Sequence, residues 1–271
     1  MFKVDVEKCV GCNLCVKDCP VGDIGLIDGK AQIKNKNCFK CGHCVAICPM
    51  KAVSTDDYPM EDVTDYCEDS FQLDSENLLN FIKFRRTVRQ YQERDVEDNK
   101  LLKIIEAGRF TPTATNSQDV DYIVVKKDIF ELRDLTMRSL NAMGETILAT
   151  SQDKKMKMYA NMWLNMYKLF QTDPKKGDRL FYNAPSLIIV TAKNPTNGAL
   201  ASSNMELMTN ALGLGAVYCG FFIAASAHNS EIAKFLQIPE DRKIVSCLVI
   251  GYPAVKYRRT APRKSAEISW R

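Results

Sequence analysis

Cys9-Val10-Gly11-Cys12-Asn13-Leu14-Cys15-Val16-Lys17-Asp18-Cys19-Pro20 is answered later in the chain by Cys38-Phe39-Lys40-Cys41-Gly42-His43-Cys44-Val45-Ala46-Ile47-Cys48-Pro49. Each cysteine of the second copy stands 29 positions after its counterpart, so the stretch is an internal repeat, and it holds eight of the eleven cysteines. The spacing is the bacterial iron–sulfur run, in which the fourth cysteine of each copy ligates the other cluster. It predicts one 4Fe–4S cluster held by Cys9, Cys12, Cys15 and Cys48, and a second held by Cys38, Cys41, Cys44 and Cys19. Three thiolates at every third position can wrap a compact turn around three corners of a cluster, with backbone N–H groups left to face the sulfurs. The fourth ligand ties the halves together. Pro20 and Pro49 turn the chain away from further helix. Structural zinc sites usually pair two short Cys-x-x-Cys units across a spacer, and a disulfide scaffold would need an export signal.

Residues 1–54 resemble the two-cluster bacterial ferredoxins, small domains built from two related halves. The chain has 271 residues, which leaves ample length for a second domain with its own core. Charge is uneven. Residues 1–53 carry eight Lys and five acids, residues 54–82 carry nine acids and no Lys or Arg, and residues 83–271 carry 29 basic against 19 acidic side chains. The basic second part raises nucleic acid as a partner, but much of the surplus can be assigned to a phosphate-bearing cofactor, so no nucleic acid is expected. No apolar run reaches 18 residues, so no membrane span is expected. Met1–Val10 lacks an apolar signal core and enters directly into a cluster ligand. Thiolates kept for metal fit a reducing, cytoplasmic setting, and exposed low-potential clusters fit an anaerobe.

Residues 55–76 read as an acidic linker, and Cys67 within it has no motif partners. The second domain, 77–271, opens on a helix from Ser75 with Leu78, Leu79, Phe81 and Ile82 on its apolar side. Asp98–Arg109 is amphipathic at helical spacing. A loop over 110–118 leads into a strand at Tyr122–Val125, and helical patterns fill most of 128–170. Leu187–Thr191 reads as a buried strand. A helix over about 199–212 ends at Gly213, and a connection over Gly215–Gly220 follows. Ser230 can cap a short helix, and Ile244–Ile250 is a last core strand. Helices and short strands without βαβ regularity give an α+β fold. Met162, Met166 and Phe170 share a helical face, as do Trp163 and Tyr167; the segment 137–170 is either core or a substrate lid.

Three stretches in order, Arg85-Arg86-Thr87-Val88-Arg89, Pro112-Thr113-Ala114-Thr115-Asn116-Ser117-Gln118 and Ala211–Gly220, resemble the FMN-dependent nitroreductase family, as does Gly251-Tyr252-Pro253-Ala254 before a basic tail. The resemblance implies a nitroreductase-like α+β FMN domain. Arg85 and Thr87, with Arg86 beside them, match phosphate-binding positions, and planar guanidinium groups suit phosphate oxygens. Arg263 and Lys264 are the best match for the remaining phosphate ligands, with Arg259 a second choice of register. Arg89 matches a cation near the flavin N1 edge, where it stabilises the charge gained on reduction. Asn116 matches an amide at the pyrimidine end of the ring, Pro112, Thr113 and Ala114 shape the loop against it, and Tyr218, Cys219 and Gly220 match the segment near N5. Cys219 stands where some members carry a glutamate, so an acid role there is absent. No side chain is expected to be catalytic; the chemistry resides at flavin N5.

These features imply an FMN-dependent oxidoreductase whose flavin exchanges electrons with the two clusters and reduces a small-molecule electron acceptor: a nitroaromatic, a quinone or an activated alkene. The electrons come from an external low-potential donor or from NAD(P)H. The family implies a homodimer, with Ile268–Arg271 available to reach across it. Two alternatives remain: a relay that hands electrons to a partner protein, and an NAD(P)H-dependent reductase that uses the clusters as an outlet.

Overall fold

The computed structural model describes residues 1–271 and divides into two compact units. The first is Met1–Asp74 with Thr113–Gln118; the second is Ser75–Pro112 with Asp119–Arg271. Most of the acidic stretch 55–76 therefore groups with the first unit, as does the loop 113–118.

The first unit is built as two matching halves. Strand β1 (Phe2–Val4), helix α1 (Leu14–Asp18), strands β2 (Ile24–Ile27) and β3 (Lys30–Ile33), helix α2 (His43–Ala46), strand β4 (Val53–Thr55) and helix α3 (Glu68–Phe71) follow in order. β1 pairs antiparallel with β4, and β2 with β3. The two-residue turn Asp28-Gly29 has positive φ at both positions (48° and 75°), the geometry a tight hairpin requires. The repeat is also visible in the backbone. Gly11 and Asn13 are left-handed (φ 68° and 67°), and so are Lys40 and Gly42 (φ 54° and 75°), each pair flanking the second cysteine of its motif. Gly11 has a second reason to be glycine: a Cβ there would lie 2.1 Å from the Gly29 carbonyl oxygen. Phe2, Ile24, Ala31, Ala52 and Val53 form the core together with Cys9, Cys15 and Cys44.

The second unit adds helices α4 (Ser75–Phe84) and α5 (Asp98–Arg109), strand β5 (Val120–Val125), the long helices α6 (Ile129–Thr150) and α7 (Lys154–Thr172), strand β6 (Ser186–Ala192), helix α8 (Pro195–Ala211), strand β7 (Gly215–Tyr218), helices α9 (Gly220–His228) and α10 (Ser230–Phe235), and strand β8 (Lys243–Gly251). The sheet order is β5-β6-β8-β7, antiparallel throughout. Every residue of β6 is buried because both faces of the sheet are covered. Leu187 and Ile189 join a core with α6, α7 and α9, whereas Ile188 and Val190 join one with α5 and α8. Side chains alternate across a strand, so one apolar run serves two cores.

Two local expectations change, and one pair of alternatives is decided. The connection over 215–220 contains the edge strand β7, whose few small residues show no alternation. Its outer side carries Val88, whose N–H donates to Ala216 O at 3.0 Å, and Thr87 bridges the same residue. A Cβ on Gly215 would lie 2.5 Å from Val88. The cap of α10 is Asn229, whose side chain accepts from Glu231 N, rather than Ser230. The 162–170 stripe is core: Trp163, Met166 and Phe170 are buried, as is Met137 of α6, and only Met156 and Met158 of the methionines in the α7 stretch are exposed.

Candidate functional site

In the first unit the eight motif thiols line two cavities. One is walled by Cys9, Cys12, Cys15 and Cys48, the other by Cys38, Cys41, Cys44 and Cys19. The cross-over of the fourth cysteine is present in both. N–H groups are already aimed at sulfur. Asp23 N donates to Cys19 Sγ at 3.4 Å and Ala52 N to Cys48 Sγ at 3.3 Å, two bonds related by the repeat. Ala31 N and Lys40 N donate to Cys9 and Cys38 Sγ, each at 3.4 Å. No group of three or more His, Cys, Asp or Glu side chains is close enough to hold a single metal ion. Thiolates on one tetrahedral zinc, with ~2.3 Å bonds, would lie about 3.8 Å apart. Four thiols walling each cavity are the donor set that a 4Fe–4S cluster takes. Burial, with the charges of Cys38 and Cys41 added, pushes Cys44 up to about 11, and burial likewise raises Cys15, so such thiols need a cationic partner to ionise together. Backbone N–H groups of Ala31 and Gly11 lower Cys9.

The approach to the second motif is fixed by groups that carry no local sequence signal. Asp23 is buried, and its carboxylate accepts from the N–H groups of Lys36 and Asn37 (3.1–3.2 Å), which sets the chain just before Cys38. Asn35 exchanges two hydrogen bonds with the backbone of Phe2.

In the second unit the Arg85–Arg89 stretch runs along β7. Arg85 pairs with Glu206 of α8, which is 7 % exposed. Tyr218, at the end of β7, donates its hydroxyl to Ser202 O at 2.8 Å; burial pushes its phenol well up, with the Glu206 charge adding to the effect. Arg86 and Arg89 have no carboxylate partner. Tyr91 lies 2.9 Å from the carbonyl oxygens of both Val88 and Val249, fastening the stretch to β8, and Tyr257 donates to Thr87 O at 3.1 Å. Gly220 begins α9, and a Cβ there would meet nothing within 4 Å, so the helix start is open to a close approach. The guanidinium groups of Arg85, Arg86 and Arg89 are the kind of donor that suits a phosphate-bearing cofactor. Glu206 and Tyr257 were missed from the sequence: a lone acid on an apolar helix, and a tyrosine in a basic tail, have no spacing that marks them.

The remaining expected site residues are placed less closely. Cys219 is buried, and burial pushes its thiol up to about 12; its Sγ lies 3.4 Å from Leu180 O. It is an inert packing thiol, and Cys247 is raised for the same reason. Arg263 and Lys264 are exposed in an extended tail, where Arg263 contacts only Pro262 O. Pro112 stands at the edge of the second unit, whereas Thr113, Ala114 and Asn116 lie in the loop that belongs to the first. The Asn116 amide nitrogen donates to Phe39 O (3.2 Å) and Lys40 O (2.9 Å), which uses both of its N–H groups.

The profile of the nitroreductase family matches residues 82–252, and that of a 4Fe–4S dicluster domain matches residues 1–68. The chain belongs to the nitroreductase family and is an oxidoreductase with an N-terminal 4Fe–4S ferredoxin domain. A component of an ion-translocating oxidoreductase complex of Methanosarcina acetivorans is 49% identical over 45 residues, 17% of each chain, so the likeness covers a small part of either. A protein of Archaeoglobus fulgidus, provisionally described as an NADH dehydrogenase/NAD(P)H nitroreductase, is 24% identical over 184 residues, 66% of this chain and 86% of its own. The crystal structure of a nitroreductase with bound FMN from Bacteroides fragilis shares the fold, with a TM-score of 0.52 and 23% identity, over 71% of this chain and 98% of the other. No helix is long and apolar enough to cross a membrane.

Proposed function

We infer that this chain is an FMN-dependent oxidoreductase whose flavin exchanges electrons with two 4Fe–4S clusters carried on the same chain, and that it reduces a small nitroaromatic, quinone or activated alkene. The observation that carries the reading is the pair of four-thiol cavities, each completed by a cysteine of the other repeat, in a member of the nitroreductase family. When bound, the clusters handle single electrons, and FMN collects two and delivers them as a hydride equivalent. The chain supplies the rest. Thiolates of Cys9, Cys12, Cys15 and Cys48, and of Cys38, Cys41, Cys44 and Cys19, hold the clusters, with N–H groups directed at four of the sulfurs. Arg85, Arg86 and Thr87 would take the FMN phosphate together with Arg263 and Lys264, and Glu206 fixes the Arg85 guanidinium. Arg89 offers positive charge to the ring edge, and Tyr218, Cys219 and Gly220 line its approach through backbone rather than through side-chain chemistry.

The working form proposed is a cytoplasmic homodimer. Its support is α4, whose Leu78, Leu79, Ile82 and Phe84 are 41–46% exposed in the single chain, and the tail, where Ile268 and Trp270 are uncovered.

A second reading is an NAD(P)H-dependent reductase that uses the clusters as an electron outlet, favoured by the description of the Archaeoglobus fulgidus relative. Anaerobic stopped-flow mixing separates the two. The oxidised holoprotein is mixed with a reduced ferredoxin or with NADH, and flavin absorbance is followed. Fast bleaching by ferredoxin alone supports the cluster-fed reductase. Bleaching by NADH alone overturns it. Reduced protein that no nitro, quinone or enoate compound reoxidises points to a relay serving a partner protein.

A further inference from the structure

The repeat is not symmetric in what touches it. In the first half, the chain leading to Cys12 is held by Lys30, nearby in sequence, whose ammonium group donates to Cys9 O. In the second half, the equivalent stretch, Phe39-Lys40, is held by a side chain from far along the sequence. Asn116 donates to Phe39 O at 3.2 Å and to Lys40 O at 2.9 Å. Gln118 adds a bond from its amide nitrogen to Tyr58 OH at 2.8 Å, and Tyr58 packs edge-on against Phe2 of the ferredoxin core. The loop bearing these residues is under conformational constraint: Thr115, Asn116 and Gln118 all have φ between 46° and 53°, and none is glycine. Such a conformation persists only where surrounding contacts determine it.

The two carbonyls that Asn116 reaches are informative. Phe39 C=O and Lys40 N–H belong to one peptide group, and that same N–H donates to Cys38 Sγ at 3.4 Å. The hydrogen bonds therefore form a chain: Asn116 amide to peptide carbonyl, peptide N–H to ligand sulfur. Each bond in such a chain polarises the next, and hydrogen bonds to the sulfurs help set a cluster's potential. The other carbonyl, of Lys40, belongs to the peptide that enters Cys41.

We propose that Asn116 is a positioning residue for the cluster of the second motif, and that the loop 113–118 raises that cluster's reduction potential relative to its twin by strengthening the N–H bond to Cys38. This rests on the two-cluster reading above. A stronger N–H···S bond favours the reduced, more negative cluster, so loss of the Asn116 donors moves its potential downward. The same bonds leave the Asn116 amide no donor for a flavin.

The experiment is a redox titration of anaerobically purified full-length holoprotein, followed by EPR, on the wild type, Asn116→Ala and Lys30→Met. Asn116 is partly exposed, so its removal does not open a core, and Lys30→Met probes the first motif as a control. The expected result is that one of two cluster transitions moves to more negative potential in Asn116→Ala while the other stays, that Lys30→Met moves the transition Asn116→Ala left in place, and that FMN affinity is unchanged in Asn116→Ala. Unchanged cluster potentials, or equal shifts in both, would overturn the proposal; unchanged potentials with weakened FMN binding would return Asn116 to the flavin. A wild type with no cluster signals and no iron would remove the two-cluster reading itself, a failure visible before any substitution is made.

Discussion

At the scale of residues, the buried carboxylate of Asp178 is kept because both of its oxygens have donors. Asp178 is buried against Arg133 of α6 at 2.6 Å and accepts from the N–H groups of Leu180, Phe181 and Asn183. Arg133 in turn lies over the Phe130 and Phe170 rings. Asp178→Ala leaves a buried guanidinium and three N–H groups unpaired, and we expect it to lower the unfolding free energy by about 3–5 kcal/mol in denaturant titrations. Glu97 shows the same principle at the surface. The Tyr252 hydroxyl first, then backbone and Arg94 hydrogen bonds, hold its carboxyl down to about 2 from an ordinary 4.5. The unfolded chain takes up the proton first, so this contribution is full above pH 4.5 and is lost as the pH falls towards 2. Glu97→Gln should flatten thermal stability against pH within that window and leave it alone at neutral pH; an unchanged acid slope would show that the carboxyl is not held in this way.

At the scale of elements, the two halves of the ferredoxin domain reach one backbone path with different residues. Gly11 and Lys40 occupy equivalent left-handed positions, as do Asn13 and Gly42. Lys40 carries a side chain at its left-handed position, with its ammonium group 3.0 Å from Asp57, while Gly11 has no room for a Cβ at all. In the second unit, β6 and β8 alternate side chains between two cores, which is why both read as continuous apolar runs although the sheet is antiparallel. β7 is short and lies near the edge; with the bridge from Thr87 it brings the Arg85–Arg89 stretch beside Tyr218.

At the scale of the whole molecule, the exposed face of α4 has a consequence for assembly. A helix with an apolar stripe gains stability by burying it, yet Leu78, Leu79 and Ile82 remain more than 40% exposed in one chain. If two copies bury this face, Leu78→Asp with Ile82→Asp should convert a dimer to a monomer in sedimentation velocity and lower bound FMN, with the four-thiol cavities unaffected in iron content. A wild type that sediments as a monomer would remove the dimer.

The grouping of the eight motif cysteines into two sets of four, each completed by the fourth cysteine of the other repeat, was legible in the sequence because it follows from the spacing of the repeat. The helix over 98–109 and the core strands were legible because periodicity records which side faces the interior; the helix over 75–84 shows the same period, although its apolar side is exposed in the single chain. Only the tertiary structure decided the rest. It paired Arg85 with Glu206, placed β7 beside the arginines, turned the methionine stripe of α7 into core, and assigned the loop 113–118 to the ferredoxin unit. Each of these depends on residues far apart in sequence meeting across a fold. A side chain such as Asn116 carries no local signal that tells a flavin contact from a bond to the backbone of Phe39 and Lys40.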